Sequence, residues 1–233
     1  MPRPKREDQI DLANEVKTVA YRQIAANGAA ALSLRAIARE LNVTAPAIYN
    51  YYSRRDDLVT ALIVDSYNSF ANALELARDK VGEADYAGQL MGALVAYRAW
   101  ALAHPEEYSL IFGTPIPGYQ APMELTLPAA KRGMDTIIGI LEAAEIAGAL
   151  TFAPSIASLA PSLREAALTW KREHGYAASI QVLYLALAGW GRIHGLVMLE
   201  IYNHLAPFFY DVDALYLAEV DAILHLAGLD KGE

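Results

Sequence analysis

The chain has 233 residues, 55% hydrophobic and 20% charged, with no cysteine, so it can bury one large core or two unequal ones and cannot form disulfides or thiolate metal sites. The net charge of −8 is unevenly spread: residues 1–65 hold 9 Lys/Arg and 8 Asp/Glu (net +1), leaving 10 and 19 for the remainder (net −9). A basic, nucleic-acid-facing patch on a small N-terminal part is therefore not excluded. The start "MPRPKREDQ" lacks an apolar stretch behind it, which speaks against a secretory signal. The apolar, uncharged run Gly175 to Gly191 has 17 residues, short of the about 20 a membrane span needs. A cytoplasmic protein with no membrane partner is expected.

Apolar residues recur at helical spacing almost throughout, and no stretch sustains the alternation of a surface strand, so the fold class is all-α. In "IDLANEVKTVAYRQIAANG", Leu12, Val16, Val19, Ala20 and Ile24 share one face and Gly28 suits a C-cap. Ser33 suits the N-cap of "LRAIARELN", whose Leu34, Ile37, Ala38 and Leu41 form the inner face, and Asn42 suits its end. Thr44 is placed to cap "APAIYNYY", with Pro46 in the first turn and Ile48 and Tyr52 directed at the core. A longer helix follows over Asp56 to Lys80. Then come "ADYAGQLMGALVAYRAWALAH", broken by Pro105, and "PEEYSLIFG". Thr114 to Pro122 is a proline-rich loop, and the next helix spans about Pro122 to Leu150, with Pro128 marking an irregularity or the true start. After a looser "TFAPSIASLAPS" and a helix including "LREAALTWKREHG", two long helices close the chain, about Tyr176 to His204 and Asp213 to Ala227.

Two short helices joined by about four residues form a helix-turn-helix, whose second helix can enter the major groove. Ala45, Pro46 and Ala47 are small enough at the leading edge for the backbone to approach bases, and their carbons can pack on thymine methyl groups. Arg35 can reach guanine as a bidentate donor, and Asn50 can pair with adenine. The hydroxyls of Thr44, Tyr49 and Tyr51 suit phosphate oxygens, with Arg54 or Arg55 adding charge beside the next helix. The same residues also suit a plain helical core with its tyrosines inside and its arginines in solvent.

The stretch "LSLRAIARELNVTAPAIYNYYSRRDDLVTAL" resembles the DNA-binding domain of the tetracycline-repressor (TetR) family of one-component transcriptional regulators. The resemblance covers about residues 10 to 60. It rests on "IA" in the second helix, the "V-T" corner, "IY" followed by Tyr52, and "R-D-D-L" opening helix four, where Arg55 replaces the family's usual lysine. It implies base-edge roles for Arg35, Ala45, Pro46 and Ala47, and phosphate roles for Thr44, Tyr49, Tyr51 and Arg55. The expected organisation is a helix-turn-helix domain over residues 1–55 and a helical effector-binding and dimerisation domain over residues 56–233.

"AHPEEYSLIFGTPIPGYQAP" and "GWGRIHGLVMLEIYNHL" are similar to the subgroup bearing a Trp-His-Gly signature, here Trp190, His194 and Gly195. This implies a homodimer whose last two long helices pair into a four-helix bundle. Its expected interface residues are Trp190, Gly191, Gly195, Leu217, Ile223 and Leu224, and its target is a near-palindromic double-stranded operator. The usual habit of such proteins, repression relieved by a small effector, is the expected mode. The aromatic and polar residues considered for a largely apolar effector site are Tyr97, Arg98, Trp100, Tyr108, Phe112, Trp170, His194 and Tyr202, most of which also suit a plain core.

Competing classes have less support. An all-helical metalloenzyme would want Glu-x-x-His pairs, which are absent from the sequence, and His194 and His204 sit about 80° apart on one helix. The glycines of "GWGRIHG" follow no strand and do not fit a dinucleotide fingerprint, and no G-x-S-x-G occurs. No enzyme activity, metal or cofactor is expected. A helical protein-binding adaptor remains the alternative, distinguished by the lack of salt-dependent DNA binding.

Overall fold

A computed structural model describes residues 6–229, the side chains from residue 12 onward. Among these residues there are eleven α-helices, one 3-10 turn and no strand. The described residues separate into two compact units, neither continuous in sequence: those up to residue 68 with 104–130, and residues 69–103 with those from 131 onward.

The first unit is built from α1 (Arg6–Asn27), a 3-10 turn (Ala29–Ala31), α2 (Leu34–Glu40), α3 (Ala45–Tyr49) and the first half of α4 (Arg55–Asp79). To these the chain later adds α6 (Pro105–Phe112), the proline-rich loop and the start of α7 (Met123–Ile146). The expected inner faces supply the core: Val16, Val19, Ala20 and Ile24 from α1, Leu34, Ile37 and Ala38 from α2, Ile48 from α3, and Leu58 and Leu62 from α4 are all buried. Each of the Val, Leu and Ile side chains contributes about 1.5–3 kcal/mol on burial. Leu110, Ile111, Ile116 and Tyr119, from α6 and the loop, pack against the same core. Polar ties reinforce them: the Tyr67 hydroxyl donates to the Ile111 carbonyl at 3.1 Å, and the hydroxyls of Thr60 and Tyr119 lie 2.9 Å apart.

The second unit contains the rest of α4 and α7, α5 (Tyr86–Ala103), α8 (Pro154–Ala157), α9 (Pro161–His174), α10 (Ile180–Ile201) and α11 (Val212–Ala227). Ile180, Val182, Leu183, Leu185, Ala186, Ile193 and Val197 of α10 are buried, and the helix packs on α5, α8, α9 and α11. By length and composition α10 could cross a membrane, but this buried face serves the unit's own core. Its ends fall inside the expected Tyr176–His204. Ser179 accepts from the Val182 amide at 3.2 Å, while Asn203, at φ 57°, closes the other end as His204 N–H bonds the Leu199 carbonyl at 2.7 Å. Helix α7 starts at Met123 and carries Pro128 inside it. The ring sits on the exposed side, where one missing hydrogen bond faces solvent.

Candidate nucleic-acid interface and effector region

The turn between α2 and α3 is closed by backbone geometry. Asn42 adopts φ 53°, Val43 N–H bonds the Ala38 carbonyl at 3.0 Å, and Asn42 N–H bonds the Arg39 carbonyl at 3.2 Å. This paired arrangement needs a left-handed residue after the helix, a conformation asparagine tolerates better than other non-glycine residues. At the other end of α2 the Ser33 hydroxyl accepts from the Ala36 amide at 3.4 Å. The two short helices are thereby fixed around buried Ile37 and Ile48.

Helix α3 is shorter than "APAIYNYY" and ends at Tyr49, with Asn50 as its C-cap. Thr44 occupies the N-cap position in extended conformation, but its side chain makes no capping hydrogen bond, so the capping role expected for its hydroxyl is not realised. Pro46, Tyr49 and Asn50 are exposed, Ala47 and Tyr51 are half-buried, and Ala45 packs partly against the core. Tyr52 is half-buried against the core, and burial raises its phenol pKa.

The charges of this unit sort into two groups. Lys17 pairs with Asp65, Arg22 with Glu40, Arg54 with Asp57 and Arg55 with Asp56. Arg35 is exposed and enters none of the ion pairs seen among the described residues. Arg39, one turn further along the same face of α2, shares that condition and was not singled out above; the i, i+4 spacing of two arginines was the available signal. Arg55 Nη2 donates to the Ala29 carbonyl at 3.1 Å, tying the start of α4 to the 3-10 turn, while its buried Nε has no hydrogen-bond partner among the described residues.

The eight effector candidates are drawn from both units. Tyr108 and Phe112 belong to the first unit, where their rings lie 5.0 Å apart and Tyr67 meets Phe112 edge-on at 5.8 Å. In the second unit, Tyr97 and His194 meet through the phenol oxygen and Nδ1 at 3.0 Å. Phe70 lies edge-on to both Tyr97 and Trp100, the indole of Trp100 donates to the Ser69 hydroxyl at 3.0 Å, and Trp190 lies 5.0 Å from His194. Burial lowers the His194 pKa below its usual 6.5 and keeps the ring neutral. Arg98 is engaged by Glu200 through two bonds of 2.7 Å and by Asp213 at 2.6 Å. Trp170 stands apart on α9, beside a shallow open groove of about 500 Å³ lined also by Ser162, Glu165, Ala166, Thr169 and Glu173. Tyr202 is exposed at the end of α10.

Of the expected interface residues, Ile223 and Leu224 are buried in the chain's own core, where Ile223 packs against Gly189. The 3.6-residue period of α11 turns those two inward and Leu217 outward. Gly191 is exposed, and Trp190 and Gly195 are partly so.

Known proteins share both the sequence and the fold. Residues 18–62 match the family described as bacterial regulatory proteins, tetR family, and residues 90–223 match the family described as tetracyclin repressor-like, C-terminal domain. The HTH-type transcriptional regulator Rv1816 of Mycobacterium tuberculosis is 29% identical over 199 residues, spanning 85% of this chain and 84% of its own. The crystal structure of SCO4313, described as a regulatory protein, is 34% identical with a TM-score of 0.79, covering 96% of this chain and all of that one. A tetR-family regulatory protein from Rhodococcus RHA1 shares the fold at 18% identity and a TM-score of 0.61, over 94% of this chain and 98% of its own.

Proposed function

We propose, from the premise that the chain belongs to the TetR family of bacterial regulators, that it binds a near-palindromic operator as a homodimer and releases or reshapes that grip when a small, largely apolar effector binds. The protein is a DNA-binding transcriptional regulator. The observation that carries the finer reading is the α2–α3 corner: Arg35 is exposed without a carboxylate partner beside a helix whose leading edge is Ala45, Pro46 and Ala47 and whose Ile48 is anchored in the core. Small residues let the backbone approach base edges, and an uncommitted guanidinium can read guanine. Thr44, Tyr49 and Tyr51 hold phosphates beside it, and Asn50 sits at the end of the reading helix.

With few side chains suited to hydrogen bonding bases, specificity rests on Arg35, methyl contacts and DNA shape. A single reading head spans one half-site, so two-fold pairing of the protein matches two-fold symmetry of the operator. For the effector, the Tyr97–His194 pair with Phe70, Trp100 and Trp190 offers aromatic walls and convergent polar atoms. An effector acts by binding one conformation of the dimer better than the other. The cytoplasm is the compartment where such a regulator meets its operator.

Selection of random duplexes by the purified protein at moderate salt tests this reading. An enriched near-palindrome, bound with an affinity that falls steeply with salt, is expected. Failure to enrich any paired half-sites would overturn it.

A further inference from the structure

Residues 12–65 carry six Lys/Arg. Four of these are committed: Lys17 to Asp65, Arg22 to Glu40, Arg54 to Asp57 and Arg55 to Asp56. The remaining two, Arg35 and Arg39, both belong to α2, are exposed, and enter none of the ion pairs among the described residues. Standing four residues apart, they leave the helix on one face, about 6 Å apart along its axis. Leu34, Ile37 and Ala38 are buried on the other side of α2, which keeps the arginine face toward solvent.

The charge of this face is one-sided. Glu40 is the one carboxylate in α2 or α3, and Arg22 holds it at 3.1 Å. Helix α3 itself carries no charged residue. The backbone of Arg39 is fixed by the corner, since its carbonyl accepts from Asn42 N–H at 3.2 Å, and its side chain therefore starts from a defined point beside α3. A cation in the last turn of a helix also meets the helix dipole favourably. That effect accounts for a charge at position 39 but not for Arg35, which lies in the first turn, where the dipole disfavours a cation. With a net charge of −8 on the chain, the long-range field opposes DNA, and phosphate capture falls to local, uncommitted cations.

We propose that Arg39 is a phosphate-binding residue that positions the reading helix, its guanidinium donating to a backbone phosphate beside the groove that α3 enters. This deepens the operator-binding reading given above and rests on it. An α-helix about 10 Å across nearly fills a major groove about 12 Å wide. The helix packed behind it is left with the flanking phosphates, apart from a side chain that reaches past α3 as Arg35 does. Arg39, about 6 Å further along α2, meets that phosphate wall. The planar fork of arginine matches two phosphate oxygens at once. Such a contact sets the register of α3 on the duplex and carries no sequence information.

The test measures the full chain on the duplex enriched by selection and on a scrambled duplex of equal length. Arg39→Gln should weaken binding to both about tenfold at low salt. It should also make the log–log salt slope shallower by about 0.9, so that the deficit shrinks about three- to fourfold between about 50 and 200 mM salt. Arg39→Lys, which keeps the charge, should retain the slope. Arg164→Gln removes the same charge from an exposed position of α9 and should leave affinity and slope at the wild-type values. Glutamine and arginine have nearly equal helix propensity, so all three variants should keep the wild-type circular dichroism. An Arg39→Gln protein that melts earlier but binds with wild-type affinity and slope has lost a helix-end charge only, and overturns the proposal. Equal losses in the Arg39 and Arg164 variants report net charge and overturn it as well. A loss confined to one base pair of the enriched duplex makes Arg39 a base reader and does the same. A wild type that enriches no duplex and binds without salt dependence removes the operator reading together with this role.

Discussion

The Tyr97 hydroxyl lies 3.0 Å from Nδ1 of His194, joining α5 to α10 across 97 residues of sequence. A neutral imidazole accepting there carries its proton on Nε2. Burial lowers the His194 pKa from 6.5, so between the folded pKa and 6.5 the unfolded chain binds more protons at this site than the folded one. Stability contributed here is present above that window and is lost as pH falls through it. Replacing His194 with Gln should flatten the dependence of the urea midpoint on pH below about pH 6.5; an unchanged slope would set the assignment aside. Tyr97→Phe should cost about 1 kcal/mol in the same unfolding measurement.

Arg98 and its two carboxylates separate a buried ion pair from an exposed one. The side chains of Arg98 and Glu200 are 16% and 17% exposed, whereas Asp213 is 80% exposed. The hydrogen bonds that Arg98 donates to Glu200, ahead of the one it donates to Asp213, raise the Arg98 pKa. Arg98→Met should destabilise by about 2 kcal/mol, because it strands a mostly buried carboxylate. Asp213→Asn should cost well under about 1 kcal/mol, because solvent screens that partner. Comparable losses in chemical denaturation would contradict the ranking.

Two arginines in the head should behave oppositely in DNA binding. Arg35→Ala is expected to relax base preference at one operator position at a cost of about 1–3 kcal/mol. Tyr49→Phe should weaken binding across all sequences alike. Arg55→Gln should instead lower thermal stability while leaving the salt slope of binding nearly unchanged, since its guanidinium serves the Ala29 carbonyl. A slope reduced by about one unit in the Arg55 variant would restore the phosphate role.

The corner that aims the reading helix depends on Asn42 at φ 53°. Asn42→Ala should cost about 1 kcal/mol, because a Cβ without a local hydrogen-bonding group is disfavoured in that region, while Asn42→Gly should be close to neutral. Thermal melts of the two variants check this. Equal midpoints would mean the corner is held by packing rather than by backbone conformation.

Much of the head was legible because its signals are local. Ser33, Asn42 and Thr44 mark helix ends through backbone chemistry within three or four residues, and the inner faces of α1, α2 and α3 follow from the 3.6-residue period. The all-helical class and the proline-rich loop were readable for the same reason. The hydrogen bond of Arg55 to the Ala29 carbonyl was not, because the two residues lie 26 apart in sequence. Aromatics on apolar helices all resemble pocket residues in one dimension, and only packing separates Tyr97 and His194 from Trp170 and Tyr202. Ile223 and Leu224 show that the inward side of a terminal helix is set by neighbours the helix does not name.

Composition, helical periodicity and capping chemistry by themselves determined the helical class and the helix-turn-helix with its small leading edge, because these depend on contacts between residues a turn or two apart. Tertiary structure alone decided that α6 and the loop up to Tyr119 return to the first unit's core, that Arg55 bonds the Ala29 carbonyl, and that Tyr97 faces His194. Those outcomes depend on which distant surfaces exclude water together. Burial at long sequence separation is decided by the whole fold, whereas a helix end is decided by its own few residues.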